Sequence, residues 1–327
     1  MSLLSVRNLS VTIRGEDGMP RELISSVAFD IGPGETLGLV GESGCGKSLT
    51  AMAIVDLLPK PQARRSSGQL LFQGLDLATL NPEQLTGIRG KKIAVIFQDP
   101  MSALNPVQQI GRQIAEVLEL HFPELSRKQR KKRVLELLFE VGIPAPNERL
   151  HAYPHQLSGG MRQRVIIAMA LACEPDLLIA DEPTTALDVT IQAQIVGLLK
   201  KLQAKNGMAM LFITHDLALV SQVSDHIAVM YAGKIAEYGP AVKLFQQPRH
   251  PYTQSLLAAL PGLHHAPKSA LLALEGQVPA VDDMPQSCRF ANRCRHAAEI
   301  CHRCMPVSVP SDIDAQVACH LWREITP

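Results

Sequence analysis

Residues 35–58 read ETLGLVGESGCGKSLTAMAIVDLL. The apolar run Leu37–Val40 predicts a buried strand, the glycine-rich stretch a turn, and the residues from Leu49 onward a helix. Between them Gly41, Glu42, Ser43, Gly44, Cys45, Gly46, Lys47 and Ser48 fit the spacing G-x-x-x-x-G-K-(S/T). Glycines let successive backbone N–H groups wrap an anion, and a helix N-terminus adds partial positive charge. Lys47 is placed to reach the β- and γ-phosphates of a nucleoside triphosphate, and the Ser48 hydroxyl to ligate Mg²⁺. Gly41, Ser43, Gly44, Cys45, Gly46, Lys47, Ser48 and Leu49 are the expected nucleotide contacts. A glycine-rich turn with no ligand is the alternative, and the strand and helix on either side count against it.

A phosphate loop alone does not separate kinases, GTPases, recombinases and transport ATPases. The segment DLLIADEPTTALD (176–188) narrows the choice. Leu177–Ala180 predicts a fully buried strand that delivers Asp181 and Glu182 at its C-terminal end, where ligands sit in parallel α/β sheets. Asp181 is expected to hold Mg²⁺ through water, and Glu182 to orient or deprotonate the attacking water. A lone Asp-Glu pair is usually a solvated strand end. Here an apolar strand carries it, about 130 residues after a phosphate loop.

Between these segments lies YPHQLSGGMRQRVIIAMAL. With this stretch the chain resembles, over almost its whole length, the ATP-binding subunits of ABC transporters. Leu157-Ser158-Gly159-Gly160-Met161 is similar to the family's signature loop and opens a helix at Arg162. Ser158, Gly159 and Gly160 thus form a second anion-binding nest. The resemblance implies head-to-tail pairing, with one subunit's signature closing on the γ-phosphate held by the other. Gln98 in AVIFQDP resembles the glutamine that senses Mg²⁺ and faces the membrane subunit. Thr185-Ala186-Leu187-Asp188 resembles the loop crossing the dimer interface, and His215 in FITHD the histidine that hydrogen-bonds the γ-phosphate. Catalysis is thereby assigned to Glu182, His215 and Gln98, Mg²⁺ to Ser48 and Gln98, and nucleotide contact also to Asp181 and Asp188. One departure concerns adenine: Ile13 and Arg14 stand where relatives often place an aromatic, so the expected contact is apolar or cation–π.

The implied fold is α/β, an ABC-type P-loop NTPase with a RecA-like core, an antiparallel β subdomain and a helical subdomain at about 99–165. Residues 1–261 are expected to form the nucleotide-binding domain and 262–327 a small C-terminal domain. The pattern HPYTQSLLAALP (250–261) is similar to that of oligopeptide/dipeptide-type importer ATPases, in particular the D-type subunits of dipeptide permeases. That resemblance implies an F-type ATPase as partner, two transmembrane permease subunits, a periplasmic substrate-binding protein, and a place on the cytoplasmic face of the bacterial inner membrane. Nickel and antimicrobial-peptide uptake systems share the pattern. A soluble non-transport ABC ATPase, or a metal-binding regulator with a vestigial ATPase, fits less well.

Bulk properties agree with this reading. Lysine plus arginine (32) nearly balances aspartate plus glutamate (31) in 327 residues, and aromatics make up 4%. Neither an electrostatic nucleic-acid surface nor a base-stacking platform is expected. The N-terminal MSLLSVRNLSVTIRGEDG lacks the pattern of a secretory leader. The apolar run Val165–Cys173 is too short for a bilayer, which needs about 20 residues. Arg127–Arg133 reads as a solvated basic helix face or as a contact for anionic lipid.

Five of the seven cysteines, Cys288, Cys294, Cys301, Cys304 and Cys319, crowd the last 40 residues. With no leader, bound metal is expected rather than disulfides. Cys301-x-x-Cys304 alone is half of a zinc site, while irregular all-cysteine spacing also suits an iron–sulfur cluster. In dipeptide-type relatives the spacing of Cys288, Cys294, Cys301 and Cys319 is associated with a 4Fe-4S cluster, which leaves Cys304 as a spare thiol or alternate ligand. His296, His302 and His320 are second-choice ligands. Four metal–thiolate bonds are expected to staple a tail that has little apolar periodicity of its own.

Overall fold

Apolar side chains alternate along Val27, Phe29 and Ile31, all buried, with Ala28 exposed between them. This period of two lays down one face of an antiparallel sheet. The computed structural model describes residues 2–15, 17–99, 103–185, 187–260 and 274–325. The chain divides into two compact units. The first comprises Met1–Gly32, Thr36–Ala78 and Phe212–Pro327, and the second Pro33–Glu35 and Thr79–Leu211. The boundary expected near 261/262 lies outside the described residues.

In the first unit, β1 (Leu4–Arg14), β2 (Pro20–Ile31), β4 (Ala63–Phe72) and β5 (Leu75–Asp76) form an antiparallel sheet in the order β2-β1-β4-β5. Leu4 lies opposite Ile31 on one side and Phe72 on the other. The same unit carries β3 (Thr36–Val40), the end of β8 (Ala209–Thr214), β9 (His226–Tyr231) and β10 (Lys234–Pro240). β3 is buried at every position, as a strand covered on both faces must be, and pairs in parallel with β9. From the tail, β11 (Val309–Asp312) and β12 (Ala315–Val317) continue this sheet in the order β11-β12-β10-β9-β3-β8, with Glu237 opposite Val317.

In the second unit, β6 (Ile93–Ile96) pairs in parallel with β7 (Leu177–Asp181), Ile96 opposite Ala180. Its helices follow local rules. Ser126 caps Arg127–Glu140 through a capping box with Gln129, and Ile110, Ile114 and Leu118 line the buried face of Ile110–His121. Within the basic run, Arg130 pairs with Glu119 and Arg133 with Glu174, each at 2.7 Å. These pairs fit the solvated-face reading. Residues 100–102, within the expected helical subdomain, lie outside the described residues. Among the described residues, no helix is long and apolar enough to cross a membrane.

The tail corrects one expectation. Among the described residues no three His, Cys, Asp or Glu side chains gather closely enough to hold a metal ion, so a metal staple is not what the structure shows. Contacts to the rest of the first unit hold the tail instead. Phe290 is buried against Tyr231, Tyr252 and His250, with ring centroids 5.1, 5.4 and 5.8 Å away. Arg289 donates from Nη1 to the carbonyls of Leu23 and Ala232. The buried apolar anchors of the tail, Phe290, Ala291, Val317 and Ile325, are scattered rather than a periodic stripe, which is why the tail's sequence shows no periodicity.

His250 in this cluster yields a pH prediction. Its Nδ1 accepts the Tyr252 N–H at 3.0 Å and caps the helix Pro251–Ala258. Burial pushes its imidazole down to about 4, only partly opposed by a hydrogen bond with the Ala318 backbone. The ring is neutral when folded but protonates in the ordinary range when unfolded. Stability is therefore unaffected above about pH 6.5 and falls by roughly 3 kcal/mol as pH drops towards 4. Glu237, whose carboxylate accepts the N–H groups of Arg249 and His250, acts in the opposite sense, because burial holds its carboxyl above the usual range. His250→Asn keeps an acceptor that does not titrate. Thermal melts between pH 7.5 and 4.5 should show a shallower acid loss in this variant, and superimposable profiles would refute the assignment.

Candidate active site

β3 ends where the backbone must turn tightly. At Gly41 φ is +156°, and a Cβ would lie 2.1 Å from the Met230 carbonyl oxygen, so no side chain fits. The chain then wraps to Gly46, which precedes the helix Lys47–Ile54 with φ +107° and no side-chain cap. The helix N-terminus is thus left to an anion. Ser43 and Gly44 are exposed, Ser48 and Leu49 half-buried. Cys45 is fully buried, and burial pushes its thiol up against the opposing charge of Lys47. Lys47 is 5% exposed and donates from Nζ to the carbonyls of Gly41 (2.7 Å) and Glu42 (3.0 Å). Its ammonium sits inside the loop. His215 follows β8 and is exposed, next to Asp216, which caps the helix Leu217–Val223.

In the second unit the parallel register of β6 and β7 brings their C-terminal ends level. Gln98 then donates from Nε2 to Glu182 Oε2 at 3.1 Å, and the Thr185 hydroxyl donates to the same oxygen at 2.8 Å. Asp181 is 5% exposed at the end of β7, and Glu182 adopts φ +46°, a strained conformation typical of functional sites. Two donors thus aim a carboxylate, which suits a general base or a water-orienting group. Thr185 was legible in the sequence only as part of the loop 185–188, of which Ala186 lies outside the described residues.

Ser158 caps the helix Gly159–Ala170 by accepting the Met161 N–H at 3.3 Å. Ser158 and Gly159 are exposed at its N-terminus, whereas Gly160 is buried against Ile191. Asp188 caps the helix Val189–Asn206 through Ile191 N. That is a structural role beside the nucleotide role expected for it.

Residues 24–185 match the family model "ABC transporter", and residues 236–301 match "Oligopeptide/dipeptide transporter, C-terminal region". The chain is 50% identical over 304 residues to the dipeptide transport ATP-binding protein DppD of Bacillus subtilis, covering 93% of this chain and 90% of that protein. It is 49% identical to the oligopeptide transport ATP-binding protein OppD of the same organism, covering 91% and 83%. The chain belongs to the ATP-binding subunits of ABC transporters. Among solved structures, the dimeric bacterial cassette MJ0796 is similar, at 28% identity and a TM-score of 0.65, covering 73% of this chain and 98% of that one. The same cassette in a post-hydrolysis state bound to ADP and Pi gives a TM-score of 0.64 at 29% identity.

In this ABC subunit the expected adenine contacts, Ile13 and Arg14, line an open cavity of about 490 Å³ together with Thr12, Pro20, Lys60 and Arg64. The tail cysteines are free thiols. Cys288 and Cys301 are joined through the backbone, with Cys288 N donating to Cys301 O at 3.1 Å. Burial pushes the Cys288, Cys294 and Cys319 thiols up, Cys319 to about 11, and repulsion among these three and Cys301 adds to it. Backbone N–H groups oppose that rise: those of Phe290 and Ala291 at Cys288, of His296 at Cys294 and of Leu321 at Cys319, the last 3.4 Å from Sγ. Amides aimed at sulfur favour thiolate, the form that binds metal. Cys304 is exposed, and its carbonyl lies 3.0 Å from His320 Nε2.

Proposed function

We propose that this chain is the ATP-hydrolysing subunit of a bacterial ABC importer for di- or oligopeptides. The observation that carries the reading is near-full-length identity of about one half to named dipeptide and oligopeptide ATPases, joined to the peptide-transporter match at 236–301. That match favours peptides over nickel or antimicrobial peptides. Gly41, Ser43, Gly44, Cys45, Gly46, Ser48 and Leu49 contribute the phosphate cradle, and Lys47 moves from the carbonyls of Gly41 and Glu42 to the β- and γ-phosphates. Ser48, Gln98 and Asp181 hold Mg²⁺, which neutralises phosphate charge when bound. Glu182, aimed by Gln98 and Thr185, takes the proton of the attacking water, and His215 hydrogen-bonds the γ-phosphate.

Ser158, Gly159 and Gly160 close on nucleotide held by a second ATPase, of F type, and Asp188 belongs to the loop facing it. Two permease subunits and a periplasmic binding protein complete the assembly, with this chain peripheral on the cytoplasmic face of the inner membrane. The solute meets those partners rather than this chain. Reconstituted with them in proteoliposomes, the subunit should drive peptide uptake that requires ATP and is lost with Lys47→Ala. ATP hydrolysis without peptide accumulation would overturn the peptide reading.

Although these side chains are not gathered into a metal-binding group in this structure, we propose on their spacing that Cys288, Cys294, Cys301 and Cys319 would hold a 4Fe-4S cluster rather than a single Zn²⁺. A cluster spaces its thiolates further apart than one ion does, and four half-buried or buried thiols, three of which (Cys288, Cys294 and Cys319) receive amide N–H groups, suit it. Its chemistry here is structural. Anaerobically purified protein should absorb near 400 nm and contain iron and sulfide. Cys301→Ser should lose both and Cys304→Ser neither; stoichiometric zinc without that band would overturn the reading.

A further inference from the structure

Glu42 places a carboxylate inside a loop built to hold polyphosphate, where an uncompensated negative charge would repel the ligand. Its partner stands 251 residues later in the chain: Arg293 donates from Nη1 to Glu42 Oε2 at 2.6 Å and from Nη2 to Oε1 at 3.0 Å. This is the fork geometry that suits arginine and not lysine. The Arg293 side chain is 7% exposed and that of Glu42 28%. Arg293 is itself fixed, donating from Nε to the Glu275 carbonyl at 2.9 Å and from Nη1 to the Tyr231 hydroxyl at 3.4 Å. The Tyr252 hydroxyl accepts the Glu42 N–H at 3.0 Å, so the loop is held at backbone and side chain together.

We propose that Arg293 is a positioning residue for nucleotide binding, holding Glu42 and cancelling its charge so that the phosphate loop attracts ATP. The proposal rests on reading that loop as the ATP site. It makes docking of the C-terminal tail a condition for tight ATP binding, because the arginine that neutralises the loop comes from the tail.

A charge-cancelling pair and a merely structural pair give different mutant cycles. Arg293→Ala strands a bare carboxylate beside the phosphates, and the ATP dissociation constant of the full-length chain should rise about tenfold, less at high salt. Removing the stranded charge should repair this, so Arg293→Ala with Glu42→Gln should bind ATP within about threefold of wild type. Turnover at saturating ATP should change little in either variant, so the effect falls on KM. Once Arg293 has been truncated, Glu42→Gln adds no contact with the tail, so it cannot rescue a chain whose tail has unfolded. An unchanged affinity in Arg293→Ala, or a double variant as weak as the single, overturns the proposal. A wild-type chain that binds ATP no better than Lys47→Ala overturns instead the reading of the loop on which it rests.

Discussion

Glu182→Gln should bind ATP as tightly as the wild type and hydrolyse it about 10²- to 10⁴-fold more slowly. The substitution is nearly isosteric. The Gln98 amide and Thr185 hydroxyl that converge on Glu182 Oε2 would still find an oxygen there. What disappears is the negative charge, and with it the basicity that takes a proton from water. Because the change spares the groups that bind phosphate, the loss should fall on kcat, and ATP should remain bound in stoichiometric amounts. Phosphate release in the steady state, with filter retention of labelled ATP, separates the two effects. Turnover within tenfold of wild type would move the role of base to another residue.

The nucleotide site was legible because each of its parts is local. The phosphate loop is eight consecutive residues, and the strand Leu177–Asp181 announces its burial by an unbroken apolar run. Even Gln98 and Glu182, 84 residues apart, follow from two parallel strands of matching register. What could not be read were contacts with no local signature. Nothing in residues 41–48 points to residue 293, since ion pairs carry no spacing rule across the chain. Nor does the composition of the tail announce that Phe290, Arg289 and Arg293 dock it. The cysteine spacing drew attention to metal bonds as the source of order, whereas aromatic packing and two arginines supply much of it.

The other large effect is expected at a residue whose importance the sequence hides. Gly233 looks like an ordinary turn glycine between β9 and β10, at φ +81°. Its Cα faces the backbone of β2, where an added Cβ would lie 1.6 Å from the Leu23 carbonyl oxygen, 2.7 Å from its carbon and 2.8 Å from Arg289 Nη1. Neither backbone nor an engaged guanidinium can yield that distance cheaply. Gly233 also donates its N–H to the Cys45 carbonyl at 2.8 Å and accepts from Ser25 N at 2.9 Å, so it ties the phosphate loop to the antiparallel sheet. Gly233→Ala should therefore cost at least about 3 kcal/mol and weaken ATP binding as well. Gly74 provides the control: its φ is +82°, yet nothing lies within 4 Å of its Cβ position. Gly74→Ala should cost only the backbone term, about 1 kcal/mol. Thermal unfolding of the two variants, with ATP titrations alongside, separates backbone strain from close approach. If both melt at the same temperature and bind ATP equally well, the contact between Gly233 and Leu23 does not constrain the loop.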